Sequence, residues 1–126
     1  SKERQTPFQI ITLIRNFKTA LKRYFSKDIY DKRKQYKNTE SSEGGYYEEA
    51  KVAETHKETY KALGLYIKAI EHGEKKDSSI KDFASSLHQL GHTREAVNLM
   101  DDCEPYYDGN KEKYFRLRDN LELQIR

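Results

Sequence analysis

The sequence contains one cysteine, two prolines and six glycines in 126 residues, and each shortage narrows the class of protein. With Cys103 alone, no internal disulfide framework can form, and no Asn-x-Ser/Thr glycosylation acceptor occurs. Both absences suit a reducing intracellular compartment, cytoplasmic or nuclear. Because glycine and proline are scarce while 36% of the residues are charged, the composition favours helices with heavily solvated outer faces.

Long apolar runs are also missing. No window reaches the roughly 18 apolar residues that a membrane span needs, and no apolar signal core follows the first residues. We therefore expect no membrane insertion. The sequence begins at Ser1 without a methionine, so we expect parts of a larger protein to be missing.

Residues that could support catalysis are sparse. His88 and His92 are four residues apart, but Gly91 between them should end a helix, and the shared face that a metal site needs is then lost. No serine or histidine constellation accompanies Cys103, and no glycine-rich phosphate loop occurs. We therefore expect no enzyme activity, no metal site and no cofactor.

The net charge of +3 is unevenly distributed along the chain. Residues 1–40 hold eleven basic and four acidic side chains, whereas residues 41–126 hold thirteen basic and seventeen acidic ones. The stretch 38–45 lacks any large apolar residue and ends in two glycines, which is typical of a linker. The pattern predicts a basic N-terminal segment, 1–40, joined to a mildly acidic body, 41–126.

The basic segment has the pattern of one long amphipathic helix from about 7 to 38. Thr6, Pro7 and Gln9 have the types and spacing of a helix start, and apolar residues then recur every three or four positions. A break at 26–28, which is rich in capping residues, is an alternative. The basic side chains that could contact nucleic-acid phosphates are Lys18, Lys22, Arg23, Lys32, Arg33, Lys34 and Lys37. The same residues also describe an ordinary helix with solvated lysines.

The body repeats itself after 34 residues. A shift of that length pairs Ala50 with Ala84, Ala62 with Ala96, Leu65 with Leu99, Tyr66 with Met100 and Ala69 with Cys103. A fixed period of this length is typical of helix-turn-helix repeats. Cys103 stands at a place for a small apolar residue, so we expect it to be a buried packing thiol.

Turn and capping signals predict four helices in the repeated part and one more, 111–125, after it. Gly73 and Gly91 should end the second and third helices, and Pro105 should end the fourth. Thr55 with Glu58 should form a capping box for the second helix. We expect the third helix to be capped by Asp77, Ser78 or Ser79 and the fourth by Thr93.

These residues resemble a tetratricopeptide repeat (TPR), with units at about 43–76 and 77–110. The second unit fills the characteristic places with Ile80, Phe83, Ala84, Leu87, Gly91, Ala96, Met100 and Cys103. The first departs from the pattern at Glu49, where a large apolar residue belongs, and at Lys57, where the turn glycine belongs. A third, partial unit has Arg118 at a small-residue place, which suggests a capping helix. The resemblance implies an all-α fold of antiparallel helical hairpins, a TPR-like α-solenoid segment, with a long N-terminal helix and a C-terminal capping helix.

The resemblance also implies a function. In TPR proteins the first helices of the hairpins line a groove that holds a peptide or helix of a partner. The places that would face this groove include Tyr47, Lys51, Glu54, Lys81, Ser85 and His88. Because Ser85 and Tyr47 replace residues of the clamp that binds chaperone tails, we expect no such clamp. The same six places could also be ordinary solvated surface.

We therefore expect a non-catalytic protein-interaction adaptor or scaffold module that binds a partner peptide or helix. Three alternatives remain at this stage. The basic segment could associate with nucleic acid, RNA included, and that binding would weaken steeply with salt. The long N-terminal helix could mediate self-association. The chain could also be an internal segment of a larger helical scaffold.

Overall fold

The computed structural model describes residues 44–125, together with Thr12, Arg15 and Thr19. These three residues are helical, and the Thr19 hydroxyl donates a 3.0 Å hydrogen bond to the carbonyl oxygen of Arg15. The rest of the predicted N-terminal helix, the alternative break at 26–28 and most of the predicted linker lie outside the described residues.

Residues 44–125 are built from helices, and no strand occurs in that range, which confirms the all-α prediction. The elements are α1 (Gly45–Thr55), α2 (Thr59–Glu71), α3 (Lys76–Gln89), α4 (Thr93–Cys103), a 3-10 helix (Glu104–Tyr106) and α5 (Lys111–Leu123). Each α-helix packs against the next one along the chain. Because the first three connections are short, consecutive helices must reverse direction and form hairpins.

The helix bounds follow the 34-residue period. Helix α1 ends at Thr55 and α3 ends at Gln89, while α2 begins at Thr59 and α4 begins at Thr93. Both pairs of bounds are 34 residues apart. The repetition seen in the sequence therefore extends to where the helices start and stop.

The turns that follow α1 and α3 share one backbone geometry. The second residue after each helix takes a positive φ, +58° at Lys57 and +86° at Gly91. In both turns the N–H of the next residue bonds back to the helix at 2.9 Å, which is the Schellman arrangement. The missing turn glycine of the first unit has therefore not changed the turn. A lysine instead occupies a backbone region that costs an L-residue roughly 1–2 kcal/mol.

Replacing Lys57 with glycine should stabilise the protein by about 0.5–1 kcal/mol. The change removes the left-handed strain, and the greater freedom of glycine in the unfolded chain offsets part of that gain. Urea unfolding followed by circular dichroism measures the difference. The reverse change, Gly91→Lys, should destabilise the protein by about 1–2 kcal/mol. Unchanged stability of Lys57→Gly would show that the turn is not strained.

The apolar core runs along the helix interfaces, and positions 34 residues apart are buried together. The fully enclosed pairs are Ala50 and Ala84, Ala62 and Ala96, Leu65 and Leu99, Tyr66 and Met100, and Ala69 and Cys103. Small residues let helices approach, and large ones fill the space between hairpins. The prediction that Cys103 is a buried packing thiol is confirmed, and burial raises the pKa of its thiol to about 12. The thiol is therefore protonated at neutral pH.

The predicted side-chain caps of α2, α3 and α4 are wrong, because none of these helices has a side-chain cap hydrogen bond. Thr55 remains inside α1, where its hydroxyl donates to the carbonyl oxygen of Lys51 at 3.1 Å. Residues 77–79 lie inside α3, and Thr93 lies inside α4. The tight turns pass from one helix directly into the next and leave no extended residue to act as a cap. At α5, Asn110 accepts a backbone N–H in the usual way.

Candidate partner-binding face

The junction of α1, α2 and α3 contains a carboxylate with three hydrogen-bond donors. Glu54 of α1 accepts from the Tyr66 hydroxyl of α2 at 2.7 Å and from the Lys51 ammonium at 3.2 Å. A third donor, the hydroxyl of Ser86 on α3, lies at 3.4 Å. Ser86 is fully buried, so this bond satisfies a polar group that water does not reach.

A second carboxylate links α3 to α1. Asp82 accepts from the Tyr47 hydroxyl at 2.7 Å and from the Lys51 ammonium at 3.5 Å. Lys51 therefore bridges Asp82 and Glu54. We call the connected set the junction network, which consists of Tyr47, Lys51, Glu54, Tyr66, Asp82 and Ser86.

The surroundings keep the donors of the junction network protonated. Burial, followed by the hydrogen bond to Glu54, raises the pKa of Tyr66 far above its usual value. Burial and the bond to Asp82 raise the pKa of Tyr47. Burial alone would lower the pKa of Lys51, but the hydrogen bond to Glu54 and the charge of Asp82 outweigh it, so this pKa is also raised. All three donors are therefore in place at neutral pH.

The structure brings together Tyr47, Lys51 and Glu54, three of the six residues predicted to face a groove. Their polar groups contact neighbouring helices, and each remains partly exposed. Asp82, which connects them to α3, was not among the predicted residues. The repeat pattern singles out places along one helix and gives no signal for a partner on another.

Lys81 of α3 contacts the aromatic ring of Tyr107, which lies between the 3-10 helix and α5. Its ammonium is 5.6 Å from the ring centroid, and the ammonium of Lys111 is 6.0 Å from the same centroid. Tyr107 in turn packs against Tyr114 of α5, with ring centroids 4.5 Å apart. Lys81 therefore joins α3 to the start of α5, as the junction network joins α1 to α3.

The other two predicted residues lie further along α3. Ser85 is half-buried, one helical turn after Lys81. His88 lies at the end of the helix, and its Nδ1 is 2.8 Å from Oγ1 of Thr93 at the start of α4. His88 thus contacts the turn between α3 and α4 rather than the junction network.

Two exposed apolar residues on α5 continue this face. Phe115 is 43% exposed and Leu123 is 62% exposed. They stand 34 residues after Lys81 and Gln89, which hold groove places in the second unit. No groove residue was predicted on α5, although carrying the same register forward by one period would have identified both. We call the combined surface of α1, α3 and α5 the groove face, defined by Tyr47, Lys51, Lys81, Ser85, Phe115 and Leu123.

A polar cleft of about 240 Å³ separates α4 from α5. Arg118 donates to Asp101 at 2.8 Å and to Asp119 at 3.1 Å, and it also pairs with Glu122. The hydrogen bond to Asp101 contributes most to raising the pKa of the guanidinium. Arg118 stands 34 residues after Ala84, so a large charged group occupies the register of a small residue. Close helix contact of the kind that Ala84 permits has no room here.

The remaining predicted features are not sites in the described part of the chain. Within 44–125 and the three N-terminal residues, no three His, Cys, Asp or Glu side chains are grouped to hold a metal ion. No helix in the same part is long and apolar enough to cross a bilayer. The predicted basic patch lies outside the described residues; its members are Lys18, Lys22, Arg23, Lys32, Arg33, Lys34 and Lys37.

Comparison of the chain with protein-family models, with curated proteins and with solved structures gives no match. The TPR resemblance therefore depends on the residues of this chain alone. The observations that bear on it are the helix bounds, the shared turn geometry and the paired burial at 34-residue spacing.

Proposed function

We propose that this protein is a non-catalytic adaptor of the TPR type, which binds a peptide or helix of another protein on its groove face. The single observation that carries the proposal is the 34-residue repetition of helix bounds, turns and buried positions. In such an array the first helices of successive hairpins lie side by side and form one continuous surface.

Contacts between alternate helices support this arrangement. The bond between Tyr47 and Asp82 places α1 beside α3, and Lys81 over the ring of Tyr107 places α3 beside the start of α5. The groove face also offers two means of recognition. Phe115 and Leu123 expose apolar surface, and the Lys81 ammonium is half-exposed beside an aromatic ring. Apolar anchors with few polar contacts are how helix-binding and peptide-binding grooves recognise their partners.

Arg118 supports α5 as the end of the array. A further hairpin would need a small residue where this arginine stands, and its ion pairs with Asp101, Asp119 and Glu122 cover the α4–α5 cleft. The chain as described then offers a short groove, of two hairpins and one closing helix, rather than a long superhelix.

A selection of displayed random peptides against the full chain tests the proposal. Affinities of the enriched peptides are then measured with the wild type and with the variants Lys81→Ala and Phe115→Ala. We expect each change to weaken binding about tenfold or more, as loss of an anchor worth 1.4 kcal/mol would. Lys113→Ala is the control, because Lys113 lies two residues before Phe115 on the opposite side of α5.

Peptides that bind all of these variants equally would show that the groove face is not the binding surface. If no peptide is enriched while a generic oligonucleotide binds with a steep salt dependence, the nucleic-acid alternative replaces the adaptor proposal.

A further inference from the structure

We propose that α1 is a detachable wall of the groove face: it leaves and rejoins the body as one unit while α2 to α5 stay folded. The inference depends on the proposed function only where it gives this motion a role in partner binding. The motion itself follows from how α1 is attached.

The apolar attachment of α1 is small. Helix α1 buries only two side chains, Ala50 and Ala53, whereas α3 buries Phe83 and Leu87 among others. At the registers of those two large residues, 34 positions earlier, α1 has Glu49 and Ala53. Releasing α1 therefore exposes far less apolar surface than releasing α3.

Polar contacts provide much of the remaining attachment. Glu54 and Asp82 hold α1 through the junction network, and Glu74 holds its first turn by accepting the backbone N–H groups of Tyr46 at 2.8 Å and Tyr47 at 3.4 Å. These groups lie at a partly exposed edge, where water can replace each bond when the helix leaves. The net contribution of such bonds to folding is small compared with the burial of a large apolar side chain.

Both ends of α1 carry backbone features that suit a hinge. Gly45 begins the helix with φ +88°, and Lys57 follows it with φ +58°. Hinges commonly use a few residues at element ends that can absorb a change of φ and ψ. At Lys57 the opening would also release the strain of a left-handed lysine.

This attachment has a consequence for binding. Because α1 supplies Tyr47 and Lys51, opening removes the first part of the groove face and leaves Lys81 and Phe115 in place. A partner that contacts both α1 and α3 binds the closed form better and shifts the population toward it. A partner that contacts only α3 and α5 leaves that population unchanged.

Native-state hydrogen exchange on the full chain without any partner, resolved helix by helix, tests the proposal. After correction for intrinsic rates, we expect the slowest amides of α1 to exchange about 100-fold faster than those of α3. Tyr66→Phe keeps the ring but removes the hydroxyl that donates to Glu54. It should speed α1 exchange about tenfold, which corresponds to one hydrogen bond, and leave α4 and α5 unchanged.

Tyr114→Phe is the matched control, because it removes a hydroxyl that donates to the Met100 carbonyl oxygen at 2.7 Å between α5 and α4. It should speed exchange in α4 and α5 and leave the ratio between α1 and α3 unchanged. If α1 and α3 exchange at the same rate and respond equally to Tyr66→Phe, the two helices open together and the proposal is wrong. Because no peptide is present, failure of the adaptor proposal would not alter this outcome.

Discussion

Replacing Phe83 with alanine is expected to destabilise the protein by about 3–5 kcal/mol. Phe83 is fully buried on α3, the helix that packs against both α2 and α4. Truncation removes most of a large apolar side chain and leaves a cavity, since the neighbouring helices are held by their own contacts and can close in only partly. Urea unfolding followed by circular dichroism measures the loss.

Phe115→Ala on α5 is the matched control for this substitution. It deletes the same atoms from a side chain that is 43% exposed, and it should cost less than about 1 kcal/mol. A similar cost for the two changes would contradict the assignment of α3 to the centre of the core. A cost of less than 1 kcal/mol at Phe83 would have the same meaning.

The positions of the helices could be predicted from the sequence wherever a residue type dictates the backbone. Gly73 and Gly91 both take a positive φ just after a helix, as their places in the pattern indicate. Lys57 adopts the same turn without glycine, and no residue type there announces it. The turn could be anticipated only from the 34-residue register, because the neighbouring repeat fixes the geometry more firmly than the local residue does.

Capping was predicted poorly for a related reason. Thr55 and Thr93 have the residue type of a cap, but a threonine hydroxyl can also bond back to its own helix or to a nearby side chain. In the structure Thr55 bonds to Lys51 and Thr93 contacts His88. Two helices joined by a Schellman turn leave no extended position where the hydroxyl could serve as a cap.

The candidate face was predictable only in part. Helical register correctly placed Tyr47, Lys51 and Glu54 on one side of α1, because that depends on the helix period alone. The bond that joins them to Asp82 depends on how α1 lies across α3, which no single-helix pattern contains. His88 shares the predicted register but contacts Thr93, because the helix end directs it toward the following turn.

Between the two hairpins, the first repeat replaces apolar packing with polar contacts. Met100 fills its place in the second unit with an apolar side chain, whereas Tyr66 at the matching place reaches Glu54 with its hydroxyl. Glu49 likewise stands at the register of Phe83. Each large apolar side chain contributes roughly 1.5–3 kcal/mol when buried, so α1 is the less firmly packed of the two first helices. That difference underlies the proposed opening of the groove face.

Alkaline pH is expected to unfold this protein through two buried tyrosines. Tyr66 and Tyr114 are fully enclosed, and burial is the main cause that raises the pKa of each hydroxyl well above its usual value. The hydrogen bond to Glu54 adds to the effect at Tyr66. At Tyr114 the neighbouring acidic groups at the end of α4, Asp101 among them, act in the same direction.

The sign of the effect follows from proton binding. In the unfolded chain a tyrosine ionises near pH 10, whereas in the folded protein both hydroxyls stay neutral at that pH. Above about pH 10 the folded state therefore holds more protons than the unfolded state, and the free energy of unfolding falls as pH rises. The fall is about 1.4 kcal/mol per pH unit for each tyrosine, or about 3 kcal/mol per unit for the pair. Below pH 10 their contribution is fully present and does not change with pH.

Urea unfolding at a series of pH values from about 8 to 11 measures this slope, and the absorbance of tyrosinate reports which hydroxyls have ionised. Of the ten tyrosines, Tyr66 and Tyr114 should ionise only as the helical circular dichroism is lost. The double variant Tyr66→Phe/Tyr114→Phe should lose most of the slope, because phenylalanine has no proton to release in the unfolded chain. Ionisation of all ten hydroxyls near pH 10 with the helices intact would show that neither tyrosine is enclosed as described. A slope that persists in the double variant would assign the alkaline loss of stability to other groups, of which Tyr47 and Lys51 in the junction network are the first to examine.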